Sequence, residues 1–143
     1  MNKQTDTLAL VGRILIGVPF LVSGLGKLAA AGATQGYIAA MGLPAPFLAY
    51  LGATAIEVIG SVLLIVGFRT RVVAVVLAGF ALLTAVFFHG NFADQDQMIH
   101  FMKNLMIMGG LLQIVGFGAG RFSLDARSNR SATLRSPALT AGA

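Results

Sequence analysis

The 143-residue chain has no cysteine and no tryptophan, and only 10% of its residues are charged. Without a thiol, the chain by itself cannot run disulfide exchange, hold an iron–sulfur cluster or offer a thiolate to a metal. Without tryptophan, anchoring at a membrane–water boundary falls to Tyr37, Tyr50 and the phenylalanines. Acid is the scarcest feature: five Asp and Glu stand against ten Lys and Arg, a net charge of +5. A basic balance can suit nucleic acid, but here the cations lie between apolar runs and in the C-terminal stretch, which is a membrane-topology pattern. A soluble domain carries about 25% charged residues. This chain is 57% hydrophobic with a mean hydropathy of +0.84, so the sequence predicts an all-α membrane protein.

Each helical residue advances about 1.5 Å, so about twenty apolar residues cross a bilayer. Four such runs are legible, at about 8–28, 47–68, 72–88 and 98–119, and they predict a four-helix bundle within a membrane domain of residues 1–125. A secretory signal is the rival reading of the first run, but Arg13 lies inside it and the polar Ser23 lies near its end. A Gly- and Ala-rich loop closed by Leu43, Pro44, Ala45 and Pro46 should separate the first two helices. Arg69, Thr70 and Arg71 form a turn too short for anything but antiparallel neighbours. The stretch 126–143 has too little apolar content to order itself and reads as a disordered cytoplasmic tail. Lys3, Arg69, Arg71, Arg121, Arg127, Arg130 and Arg135 gather on one side, with Lys27 and the acidic Asp94 and Asp96 on the other, so the positive-inside rule puts both termini in the cytoplasm.

One echo fits two related helix hairpins, with coincidence among Gly-, Val- and Leu-rich spans as the alternative. Residues 60–68 (GSVLLIVGF) and 109–117 (GGLLQIVGF) close the second and fourth helices. In the register that aligns them Glu57 falls opposite Met106, so the acid exists in one half only.

Glu57 is the lone acid near the middle of a span, where a bare carboxylate costs several kcal/mol unless paired, wetted or protonated. Helical spacing puts Arg13, Gly17, Phe20, Gly24 and Lys27 on one stripe of the first helix, and Ala53, Glu57, Gly60, Leu64 and Gly67 on one stripe of the second. The third helix offers Val75, Gly79, Leu82, Val86 and His89, and the fourth Lys103, Ile107, Gly110 and Ile114 with Asn104 beside them. Small residues on these stripes predict that they are also the packing faces. By depth, Lys103 is the expected partner of Glu57, with Asn104 as a neutral neighbour, Arg13 as the second choice and Lys27 snorkelling to the surface. A register-fixing ion pair and a ligand or proton site both fit these residues. His89, His100, Asp94 and Asp96 share the residue types of a metal cluster, but the two histidines lack the i,i+4 spacing of a helical ligand pair, so no metal site is expected.

Arg13 with Gly17, Phe20, Gly24 and Lys27, the loop Gly42, Leu43, Pro44, then Glu57 with Gly60, Leu64, Gly67 and Arg71, Lys103 and Asn104 with Gly109 and Gly110, and the closing Ser123, Leu124, Asp125 resemble the DoxX family of small bacterial inner-membrane proteins. The resemblance implies four membrane helices in the bacterial inner membrane and a link to oxidoreductase assemblies, including DoxD-type thiosulfate:quinone oxidoreductase subunits. It implies no covalent cofactor, with quinone as the ligand, and partners drawn from the lipid bilayer, a redox protein or a second copy in a homo-oligomer. At most it implies a quinone-linked subunit that needs a partner for catalysis. A small-anion or proton-coupled carrier and a non-catalytic adaptor remain the alternatives.

Overall fold

A computed structural model describes residues 3–135, and among these residues it contains six helices and no strand. Four helices are long and apolar enough to cross a membrane: α1 (Lys3–Ala29), α3 (Pro46–Val66), α4 (Thr70–Phe88) and α5 (Gln95–Phe117). These are the four spans that the apolar runs predict. Two further helices are additions. α2 (Ala31–Ala40) occupies the stretch read as loop, and α6 (Leu124–Arg135) occupies part of the stretch read as disordered. Residues 136–143 of that stretch lie outside the described residues.

The helices pack as two pairs. α1 lies along α3 and α4 lies along α5, with smaller contacts of α3 on α4 and of α1 on α5. Four spans bring the start of α1, the α3–α4 turn and the end of α5 to one end of the bundle, here called the basic end; the opposite end, with Asp94 and Asp96, is called the acidic end. The apolar core joins α3, α4 and α5 through Leu64, Val73, Ala74, Leu77, Ala78 and Leu111. On α4 the buried stripe runs through Val73, Ala74, Leu77, Ala78, Ala81 and Ala85. Val75, Leu82 and Val86, expected to face inward, are exposed instead. With apolar residues all round this helix, glycine position alone does not tell the inner face from the lipid face; the smaller alanines mark it, because they let α3 and α5 approach.

The α1–α3 seam depends on two glycines. A Cβ at Gly24 would lie 2.7 Å from Val58 Cγ2 and 3.2 Å from the Val58 backbone nitrogen, and one at Gly17 would lie 2.6 Å from Ile65 Cγ1. Gly26, on the same helix, meets nothing within 4 Å. Gly24→Ala should therefore cost about 1–3 kcal/mol by forcing the helices apart. Gly26→Ala should be neutral or slightly stabilising, because alanine favours the helix. Thermal unfolding of the two variants in detergent checks the contrast, and equal midpoints would remove the close approach as its cause.

At the basic end the chain is sewn together by hydrogen bonds. Asp125, from the start of α6, accepts from Arg69 N–H at 2.7 Å, Thr70 N–H at 2.9 Å and the Thr70 hydroxyl at 2.7 Å, so it caps the N-terminus of α4 from a distant part of the chain. This holds Arg69, a non-glycine residue at φ 44°, in the left-handed region. Ser123 Oγ donates to the Gly120 carbonyl and accepts from Ala126 N–H, which starts α6. Buried Asp6 on α1 accepts from Arg121 N–H. The Ser123, Leu124, Asp125 motif thus joins α6 to α3 and α4.

Partial burial pushes the Asp125 pKa up, but the hydrogen bonds from Thr70 and Arg69 and the charge on Arg13 outweigh it and hold the carboxyl below its ordinary value. A carboxyl with a folded pKa below its unfolded value of about 4 stabilises the fold above that value, and the stabilisation is lost as pH falls through the folded pKa. The melting-temperature gap between wild type and Asp125→Asn should therefore be full at neutral pH and narrow progressively below about pH 4. A gap that stays constant down to low pH would show that the carboxylate charge is not the stabilising element.

Candidate functional site

Buried Glu57 lies midway along α3 and faces α1. Its partner is Lys27: Nζ is 2.7 Å from Oε2 and 2.9 Å from Oε1. Ser23, one turn back along α1, donates its hydroxyl to Glu57 Oε1 at 3.2 Å and accepts from Lys27 Nζ at 2.9 Å. One ammonium, one carboxylate and one hydroxyl therefore form a closed, neutral cluster. Gly24 rests directly against Glu57 and Val58, so Lys27 lies less than one turn beyond the level of the acid, and α2 continues past the end of α1.

The expected Glu57–Lys103 pair does not form. Lys103 is exposed on α5, which packs on α4 and on a short stretch of α1, with no extensive face against α3. Depth placed Lys103 and Glu57 within reach of each other, but the order of helices around the bundle keeps them apart. Asn104, beside it, lines the cavity between the helix pairs described below, and its amide donates to the His100 carbonyl at 3.1 Å.

Arg13 is also inward, fully buried, but it serves the basic end rather than Glu57. Its guanidinium donates to the carbonyls of Leu64 at 3.3 Å, Ile65 at 3.1 Å and Phe122 at 2.5 Å, and Nε reaches Ala9 at 3.4 Å. Gly67, at φ 72°, leaves the room that this side chain fills; a Cβ there would run into Arg13 and Ser123. A planar fork of five donors suits such a set of carbonyls, and a lysine does not match it.

Between the two helix pairs lies a half-open cavity of about 930 Å³, with the exposed Leu15, Leu83 and Phe87 among its lining residues. The Lys27–Glu57–Ser23 cluster forms one part of its wall, with Asn104, Thr34, Thr84 and His89 as further polar groups. The rest is apolar and aromatic, including Phe20, Tyr37, Phe80 and Phe88. Two aromatic contacts cross from one pair to the other: Phe20–Phe80 at 6.5 Å and the stacked Tyr37–Phe88 at 5.6 Å between ring centres. Sequence reasoning missed Ser23, although it lies four residues before Lys27 on the charged stripe. It also missed the aromatic wall, because residues of α2 and α4 so far apart in the chain carry no local signal of contact.

His89 and His100 stack at 4.9 Å, and His89 Nδ1 lies 2.8 Å from Gln97 Oε1. Among the described residues no group of three or more His, Cys, Asp or Glu could hold a metal ion.

A polar cluster beside a largely apolar cavity, in a bundle of four helices long and apolar enough to cross a membrane, defines a small multi-span membrane protein. A model of the DoxX family matches residues 8–90, and the chain belongs to the DoxX family. It is 41% identical over 130 residues to "Inner membrane protein YqjF" of Escherichia coli (strain K12), covering 91% of this chain and 98% of that protein. It is 36% identical over 125 residues to "Inner membrane protein YphA" of the same organism, covering 84% and 89%. A shorter match, 41% over 78 residues, joins it to "Putative oxidoreductase CatD" of Bacillus subtilis (strain 168), covering 54% of this chain and 57% of that one. No solved structure matches the chain.

Proposed function

We propose that this DoxX-family inner-membrane protein is the membrane subunit of an oxidoreductase assembly and binds a quinone, or a similar small neutral ring compound, between its helix pairs. The observation that carries this reading is the cavity itself. Its volume of about 930 Å³ is within the range of small-molecule sites, and a mainly apolar, aromatic-rich wall meets a few convergent polar groups. Phenylalanine and tyrosine faces suit a flat ring. Lys27 N–H can donate to a quinone carbonyl oxygen, and a Glu57 oxygen can accept from the O–H of the reduced quinol. The name of the Bacillus relative adds support for a redox role.

The charge balance favours a neutral ligand over an anion. Of the cations that could have made an anion site, Lys27 is matched by Glu57, Arg13 is engaged with backbone carbonyls at the basic end, and Lys103 is exposed. An anion would have to compete with a carboxylate already in place.

With no thiol in the chain, electrons come from a partner protein. The six exposed cations Lys3, Arg69, Arg71, Arg121, Arg127 and Arg130 gather at the basic end, which supports a cytoplasmic position for that end and both termini.

The test is ligand-induced stabilisation of the purified, detergent-solubilised protein. Ubiquinone-1 at about 100 times its dissociation constant should add about 2.7 kcal/mol of stability and raise the melting temperature accordingly. Lys27→Met and Glu57→Gln should reduce that shift, and Lys103→Met should leave it intact. No shift in the wild type, with no quinone retained through purification, would exclude the reading.

A further inference from the structure

The polar contacts that bridge the two helix pairs are distributed unevenly. Among the described residues, the bridging hydrogen bonds lie at the basic end: Arg13 to the Phe122 carbonyl, Arg121 N–H to Asp6, and Asp125 N–H to the Gly67 carbonyl. Toward the acidic end, the polar contacts stay within a pair. Lys27 and Ser23 meet Glu57 inside α1–α3, and His89 meets Gln97 between the end of α4 and the start of α5. There the aromatic contacts Phe20–Phe80 and Tyr37–Phe88 bridge the pairs, and the cavity lies beside them.

Parting the basic end would leave buried partners unsatisfied: the Arg13 guanidinium would lose Phe122, and the Asp6 carboxylate would lose the Arg121 N–H. Each broken charge-assisted bond is strong, and a buried charge left without a partner is worse. Parting the acidic end separates only apolar and aromatic faces, which acyl chains or an incoming ring can re-cover at small cost, since lipid is as apolar as the faces themselves. The two ends of one seam therefore differ sharply in the cost of opening.

We propose that the ligand of the cavity enters and leaves at the acidic end, between α2 and the α4–α5 turn, as the two helix pairs splay about a fixed hinge at the basic end. This rests on the reading of the cavity as a ligand site, and it places ligand exchange on the face opposite the termini. The Tyr37–Phe88 stack is the contact that parts, and α2 moves with α1 and α3, against which it packs. A partner that loads or unloads the ligand must then act from the acidic end.

The natural absence of cysteine permits a direct test on the full chain. Spin labels go on Ala39→Cys with Asn91→Cys across the acidic end, and on Gln4→Cys with Val72→Cys across the basic end; all four positions are exposed. Distances are read by double electron–electron resonance in lipid nanodiscs. The expected result is a second, longer component for the acidic-end pair and one narrow component for the basic-end pair. Two narrow distributions, or an equally broad basic end, would overturn the proposal.

Adding ubiquinone-1 should collapse the acidic-end pair to one component. If it does not, while the two-component pattern stands, the hinge is supported and quinone as the ligand is what fails. Hydrogen exchange on the unmutated protein supplies a check independent of labelling. Amides at the start of α3 and the end of α4 should exchange faster than those at the α3–α4 turn, and the reverse order would overturn the hinge.

Discussion

Replacing Arg13 with alanine should cost about 3–5 kcal/mol of stability, among the largest effects of any single substitution in the chain. Two losses add. The side chain is wholly buried, so truncation leaves a void that the α1–α3 seam, already at closest approach at Gly17, cannot collapse to fill. The Phe122 carbonyl also loses its donor. Arg13→Lys should recover only a part, because an ammonium cannot reach carbonyls on α3 and beyond α5 at once. Chemical denaturation in mixed micelles measures the loss. A change within about 1 kcal/mol for Arg13→Ala would mean that the staple is dispensable, and the hinge proposed for the basic end would fall with it.

The second large effect concerns the Lys27–Glu57 pair, and here the two single variants should differ. Glu57 has 6% of its side chain exposed and Lys27 has 25%. Removing the acid leaves a lysine whose flexible stem can turn its ammonium toward the acidic-end water. Removing the lysine leaves a carboxylate in the middle of the bundle with only the Ser23 hydroxyl beside it. Lys27→Met should therefore cost about 3–5 kcal/mol, the usual penalty for stranding one member of a buried pair. Glu57→Gln should cost clearly less. The double variant Lys27→Met with Glu57→Gln should be more stable than Lys27→Met alone, because no charge is then stranded. Lys103→Met should be silent. A double-mutant cycle from unfolding midpoints reads all of these, and a loss from Lys103→Met equal to that from Lys27→Met would refute the pairing.

Both predictions concern residues that the sequence singles out, but only in one case does the sequence suggest the right use. Glu57 reads as an inward acid in need of a cation, and it is. The cation is misread, because position along the membrane normal was the available guide. Depth says which groups share a level; it does not say which helices are neighbours. Lys27 wins because Gly24 lets α1 press onto α3 at the level of Glu57, and Lys103 loses because α5 packs chiefly on α4. Arg13 is misassigned for the same reason. Its acceptors are backbone carbonyls and a loop more than a hundred residues away, and carbonyls have no signature in a sequence.

The amino-acid sequence alone determines the features that local rules govern. The four spans come from the length of apolar runs against the thickness of a bilayer, and the inward stripe of α1 comes from the 3.6-residue period. The tertiary structure decides whatever depends on two distant segments meeting. The ion pair at Glu57, the capping of α4 by Asp125 and the aromatic cavity beside α2 all belong to that class. Each arises because close packing at a few small residues fixes which helices are neighbours, and that choice is made by the whole bundle rather than by any one of its helices.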